Sequence, residues 1–143
     1  DFDPVFIADA RERMRDRWAY DAQVVDVTKD PIPGGPYDGV YSLDVLEHLP
    51  ADRDDLVIGK LCNALTADGV CLIGMPSLES QLYASPGSRA GHINCKTAPD
   101  LKALMQRHFH TVFMFSMNDE IVHTGFHKMA HYILALCAQK RTL

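Results

Sequence analysis

The 143-residue chain contains no run of the roughly 18 to 20 apolar residues that a membrane span needs, and no signal-peptide pattern is visible in it. Neither a membrane nor a secretory route is therefore expected from it. Cysteine is sparse and dispersed: Cys62, Cys71, Cys95 and Cys137 form no C-x-x-C pair, and most lie inside apolar runs. That spacing argues against a zinc ribbon or a disulfide frame and suits reduced core thiols of a cytoplasmic protein. Positive charge is also short, with 14 Lys and Arg against 19 Asp and Glu and a net charge of -5. Phosphate neutralisation needs clustered cations, so nucleic acid is not an expected partner. The main basic cluster, "RERMRDR" from Arg11 to Arg17, alternates with Glu12 and Asp16 and reads as the solvated face of a helix.

Hydrophobic residues make up 47% of the chain, enough for one globular domain over residues 1–143 and too little length for two. Asp3 followed by Pro4 is a helix start, and Ile7, Ala10, Met14 and Trp18 recur at helical spacing. "AQVVDVT" predicts a short strand, "KDPIPGGP" a loop and "DGVYSLDVL" a second strand. A helix is expected around residues 54–65, with Val57, Ile58, Leu61, Cys62 and Leu65 on one face. "DGVCLIGMPS" follows as an apolar strand closed by Pro76, and residues 78–96 read as a long Ser- and Gly-rich loop. "TAPDLKALMQRHF" restarts a helix from a Thr97/Asp100 cap, with Leu101, Leu104, Met105 and His108 inward. "TVFMFSM" and "MAHYILALCAQ" are two closing strands joined by the polar "NDEIVHTGFHK". Strands alternating with helices predict an α/β domain with a mostly parallel sheet covered by helices on both faces. Ligands of such sheets sit at the carboxyl ends of the strands, where Asp26, Asp44 and Ser77 fall.

In order, "DFDP", "DVTKDPIP", "YDGVYSLDVLEHL", "ADGVCLIGMPS" and the final strand pair resemble the later motifs of class I S-adenosylmethionine-dependent methyltransferases. The resemblance covers nearly the whole chain, and "SLDVLEHL" is similar to the marker of the small-molecule branch. It implies a Rossmann-like sheet with an antiparallel last strand, S-adenosylmethionine as cofactor, and methyl transfer to oxygen or nitrogen of a small-molecule acceptor. The family's glycine-rich loop has no counterpart, since Gly34-Gly35 lies in a Pro-rich turn. The fold is accordingly expected to be N-terminally incomplete, lacking an upstream strand, glycine loop and helix. "AQVVDVT" would then have no neighbour to bridge it to "DGVYSLD", leaving apolar strand edges open.

By the same resemblance Asp1 takes the ribose hydroxyls, Asp26 and the N-H of Val27 take adenine, and Ser42, Leu43 and Asp44 line the methionine and ribose side. Asp3 is then the helix cap. Asp26 has an alternative reading, an acidic turn residue in "DVTKD". Glu47, His48 and His92 remain. An imidazole near the methyl group is suited to remove a proton from an attacking hydroxyl or amine, which makes His48 and His92 the candidate catalytic residues. Small-RNA 2'-O-methyltransferases carry a similar acid-x-x-Glu-His and later His that bind a divalent metal, so a metal held by Asp44, Glu47, His48 and His92 is a second reading. A third is that Glu47 and His48 only orient the segment after the strand. His108 and His110 flank a helix end, and His123 and His127 belong to the hairpin surface or line the acceptor pocket. The oligomeric state is left open. A non-catalytic binding domain and a dinucleotide-binding oxidoreductase are the alternative functions, the latter disfavoured by the missing G-x-G-x-x-G and by the closing strand pair.

Overall fold

A computed structural model describes residues 1–142 and divides the chain into two compact units, Asp1–Pro33 and Gly34–Leu143. In the first unit, helix α1 spans Pro4–Arg13. The Asp3 carboxylate accepts from the N-H of Val5 at 2.7 Å, and Pro4 occupies the position where a missing N-H is harmless. Ile7 is buried and Ala10 and Met14 are half-buried, as the helical spacing predicts. The period does not reach Trp18, because the helix stops at Arg13 and the indole is 92% exposed. "AQVVDVT" forms no strand: a strand-like bond runs from the Val25 N-H to the Asp1 carbonyl at 2.8 Å. A β-propensity run needs a ladder partner to become a strand, and among the described residues it pairs with no strand.

The second unit is built on a five-stranded sheet: β1 Tyr37–Leu43, β2 Leu65–Pro76, β3 Phe109–Asn118, β4 Ile121–His123 and β5 Tyr132–Lys140. Their order across the sheet is β1-β2-β5-β3-β4. Only β1 and β2 pair in parallel; β5 pairs antiparallel with β2 and with β3, and β4 pairs antiparallel with β3. The mostly parallel ladder expected from the sequence is thus corrected to a mostly antiparallel one. Strands β1, β2 and β3 do run in one direction, but β5 is wedged between β2 and β3 and turns one parallel contact into two antiparallel ones.

Helices α2 (Asp54–Asn63) and α4 (Ala98–Gln106) cover one face of this sheet. That face carries the cross-strand pairs Cys71–Cys137, Ile73–Ala135 and Met75–Ile133, all fully buried against Val57, Ile58, Leu101 and Met105. Burial of that many methylenes is the main apolar contribution to folding, at about 25 cal/mol per Å². Helix α4 starts as expected, with the Thr97 hydroxyl accepting from the Asp100 N-H. The opposite face exposes Tyr41, Leu43, Val70 and Phe113, so within this unit the helices lie over one face rather than both. Two positive-φ glycines lead the chain into β1, and a Cβ on Gly34 would collide with the Tyr37 hydroxyl.

Residues 78–96 are not one loop. They hold a 3-10 turn, Glu79–Tyr83, and a short helix α3, Pro86–Gly91, capped by the Ser85 hydroxyl on the N-H of Ser88. The signal was present in "SPGS": a capping serine followed by proline at the first helical position. No helix among the described residues is long and apolar enough to cross a membrane.

Candidate active site

Strand β1 ends at Leu43, and Asp44 follows in the left-handed region at φ 55°, with its N-H still donating to the Gly74 carbonyl at 3.1 Å. Aspartate tolerates this conformation better than most residues, and backbone outliers of this kind cluster at functional sites. The reversal sends the chain into a 3-10 turn, Leu46–His48, that buries Leu46 and Glu47 and leaves His48 half-exposed at the surface. Ser42 and Leu43 sit just before it, paired with Ile73 and Gly74 of β2.

The segment after α3 brings His92 to the same place. The His48 and His92 rings meet edge to face with centroids 5.1 Å apart. A carboxylate oxygen of Glu47 and one nitrogen from each imidazole lie within 4.8 Å of one another. The His48 Nδ1 faces the Gly91 carbonyl at 3.0 Å, and the His92 Nδ1 faces Gln81 Oε1 at 3.0 Å. Gln81 in turn donates its amide to the Ser77 carbonyl, which fixes its oxygen toward His92. Both Nδ1 atoms therefore carry the proton in the neutral rings, and both Nε2 atoms keep a lone pair. The Nε2 of His48 lies 4.0 Å from Glu47 Oε1.

Glu47 is fully buried, and neither carboxyl oxygen has a donor in hydrogen-bond geometry among the described residues. Burial raises its pKa above the usual carboxylate range; its own backbone N-H and His48 pull the other way, while Asp44 adds to the rise. Asp44 does not join the three-residue cluster. It lies against Tyr132 at the start of β5, whose hydroxyl is pushed up by burial and by the charge and hydrogen bond of Asp44. A cavity of about 310 Å³ opens beside His92, lined also by Gln81, Tyr83, His131 and Tyr132.

A buried network ties these parts together. Asn94 donates from its side chain to the Leu46 carbonyl and to Asp54 Oδ1, and from its backbone to the Glu47 carbonyl at 3.0 Å. Lys96 donates to Asn94 Oδ1 at 2.9 Å and pairs with Asp54 at 2.7 Å. Gln81, Asn94, Lys96 and Tyr132 did not stand out in the sequence. They are single polar residues without a motif, and only the fold makes them neighbours.

In the first unit, the Val25–Asp1 bond sets Asp1 beside the "DV" of Asp26 and Val27. The Asp1 carboxylate accepts from the Asp3 N-H at 2.8 Å. Asp26 accepts from the Thr28 hydroxyl at 2.6 Å and pairs with Lys29 at 2.8 Å; Lys29 first, then Thr28, hold its pKa down at about 2. The turn role foreseen for this residue is therefore formed. Two other histidines have plain structural tasks: buried His108 meets Asp55 at 2.9 Å, and His123 accepts from the Gly125 N-H.

No protein-family model matches the chain, and no curated protein sequence is detectably similar to it. Solved structures do match. The fold is that of S-adenosylmethionine-dependent methyltransferases. Among them are the putative methyltransferase of Haloferax volcanii in complex with the Trm112 activator (TM-score 0.77, 12% identity, 99% of this chain and 70% of that one); a TehB-like methyltransferase from Corynebacterium glutamicum (0.65, 19%, 98% and 66%); and the N-methyltransferase NodS of Bradyrhizobium japonicum with bound S-adenosylhomocysteine (0.65, 16%, 97% and 64%). The chain spans between 40% and 71% of the length of the matching solved structures.

Proposed function

We propose that this protein is an S-adenosylmethionine-dependent methyltransferase acting on oxygen or nitrogen of a small molecule. The observation that carries the reading is the convergence of His48 and His92 beside Glu47, just past the carboxyl end of β1, in a sheet of this class. When bound, S-adenosylmethionine supplies an electrophilic methyl group, and the protein's part is position and proton removal. Asp1, Asp26, Val27, Ser42, Leu43 and Asp44 keep the cofactor-binding roles implied by the resemblance. Asp1 and Asp26 fit in kind, since carboxylates suit a diol and an exocyclic amine, although the Asp26 carboxylate would share itself with Thr28 and Lys29.

A neutral imidazole with its Nδ1-H anchored presents Nε2 as a base. His92, anchored by Gln81 and facing the cavity, takes the acceptor's proton, and His48 lies next to it. The cavity wall of Tyr83, His131 and Tyr132 holds the acceptor.

The fully buried Glu47, whose carboxyl oxygens meet no donor in hydrogen-bond geometry among the described residues, favours the metal version of the same site. One carboxylate and two imidazoles with anchored Nδ1 atoms fit a divalent cation such as Zn²⁺ or Mn²⁺, which would lower the pKa of a bound acceptor hydroxyl.

Calorimetry of the intact protein with S-adenosylhomocysteine, followed by methyl transfer to a panel of phenols, alcohols and amines, tests the proposal. Micromolar binding with turnover supports it. Absent binding rejects it in favour of a non-catalytic domain.

A further inference from the structure

The buried polar network behind the two histidines is more connected than packing requires. Asn94 is 8% exposed, and its amide and backbone groups make four hydrogen bonds: to Leu46, Glu47 and Asp54 as donor, and from Lys96 as acceptor. The four bonds reach three pieces of the unit. Leu46 and Glu47 belong to the turn that carries His48, Asp54 opens α2, and Lys96 is joined to the end of β2 by the Ser77–Lys96 bridge and the Leu78 N-H. His92 is two residues before Asn94 in a segment that has no other regular structure.

From this arrangement we propose that Asn94, held by the Asp54–Lys96 ion pair, is the positioning residue of the His48/His92 pair. It acts through the backbone: the Asn94 N-H on the Glu47 carbonyl fixes how close the His92 segment comes to the turn bearing His48. The ion pair cannot leave Asn94 free to rotate, because each of its charges would then lose a buried partner. An unanchored loop would let the rings separate, and a base displaced by about 1 Å is a poor one. The catalytic part of the proposal rests on His92 acting as the base; the positional part does not.

Two variants of the intact protein test it, Asn94→Ala and the double change Asp54→Leu with Lys96→Met. The double variant replaces the ion pair by apolar groups of similar size, a change many folds tolerate, and it strips the Asn94 amide of its two charged partners. Three readouts are taken: nuclear Overhauser contacts between the His48 and His92 ring protons, affinity for S-adenosylhomocysteine, and turnover. The expected result, in whichever variant keeps its near-ultraviolet dichroism, is loss of the ring contacts, cofactor affinity within about twofold, and turnover at least tenfold lower. A folded variant that keeps the ring contacts overturns the proposal. A fall in turnover matched by an equal fall in cofactor affinity overturns it too, since that marks general damage. If the wild-type protein transfers no methyl group, the functional reading fails, and the ring contacts alone decide the positional inference.

Discussion

The imidazoles of His48 and His92 lie at 65° to one another, edge against face, and each ring is anchored on its far side by an oxygen. The two Nε2 lone pairs are therefore available at once, beside the buried Glu47 carboxyl.

His92 is expected to contribute to the chemical step and little to cofactor binding. His92→Ala should lower turnover by about 10² to 10⁴-fold, the usual worth of a positioned base, with S-adenosylhomocysteine affinity within twofold. Gln81→Leu, which removes the acceptor of the Nδ1 proton, should give a smaller loss in the same direction. Equal turnover in both variants would take His92 out of the reaction.

Glu47 separates the two versions of the site. Its pKa is raised by burial, so its effect on stability is complete below the ordinary glutamate value of 4.5 and is lost as pH climbs through the raised one. In chelator-treated protein, Glu47→Gln should raise the thermal midpoint at pH 7 and flatten the pH dependence of wild type above 4.5. If a cation occupies the site, added Zn²⁺ or Mn²⁺ should raise the wild-type midpoint and leave the variant unmoved. Chelation without effect on activity would dismiss the metal version.

Asp26 carries the reverse sign. Its pKa is held at about 2 by Lys29 and Thr28, so the stabilisation is complete above 3.8 and fades as pH falls from there toward 2. Lys29→Ala should move the Asp26 titration up toward 3.8 in a carboxyl NMR series. Asp26→Ala should weaken S-adenosylhomocysteine binding roughly five- to thirtyfold, the loss of one charge-assisted hydrogen bond. Unchanged affinity would leave Asp26 with its turn alone.

The thiols give a test of the core. Burial pushes Cys71 and Cys137 up to about 12 and Cys95 up to about 11. At pH 8 a disulfide reagent should leave Cys71 and Cys137 untouched in the folded protein and modify them at once in denaturant. Rapid modification in the native state would mean that the Cys71–Cys137 pair is not a closed part of the sheet.

Much of this was legible in the sequence because it depends on local rules. The Asp3 and Thr97 caps, the inward stripes of α2 and α4 and the buried run of β2 follow from spacing alone. "LEH" and His92 were singled out as candidates by residue type and resemblance, and the fold brings them together. Strand partners were harder to read. Whether β5 lies at an edge or between β2 and β3 is decided by tertiary pairing, and whether "AQVVDVT" becomes a strand is decided by a neighbour. Asn94 and Tyr132 were silent for the same reason: a polar residue acquires its task only when the fold chooses its partners.

The wedge of β5 has a consequence for how the sheet comes into being. Its central strand is made last: β1 with β2, and β3 with β4, can each pair as soon as they are synthesised, yet no strand bridges the two ribbons until Tyr132–Lys140 has left the ribosome. Until then the long apolar edge of β2 waits for a partner, and a chain ending before Tyr132 would hold two ribbons joined through the connecting chain and the α2–α4 contact instead of one continuous sheet.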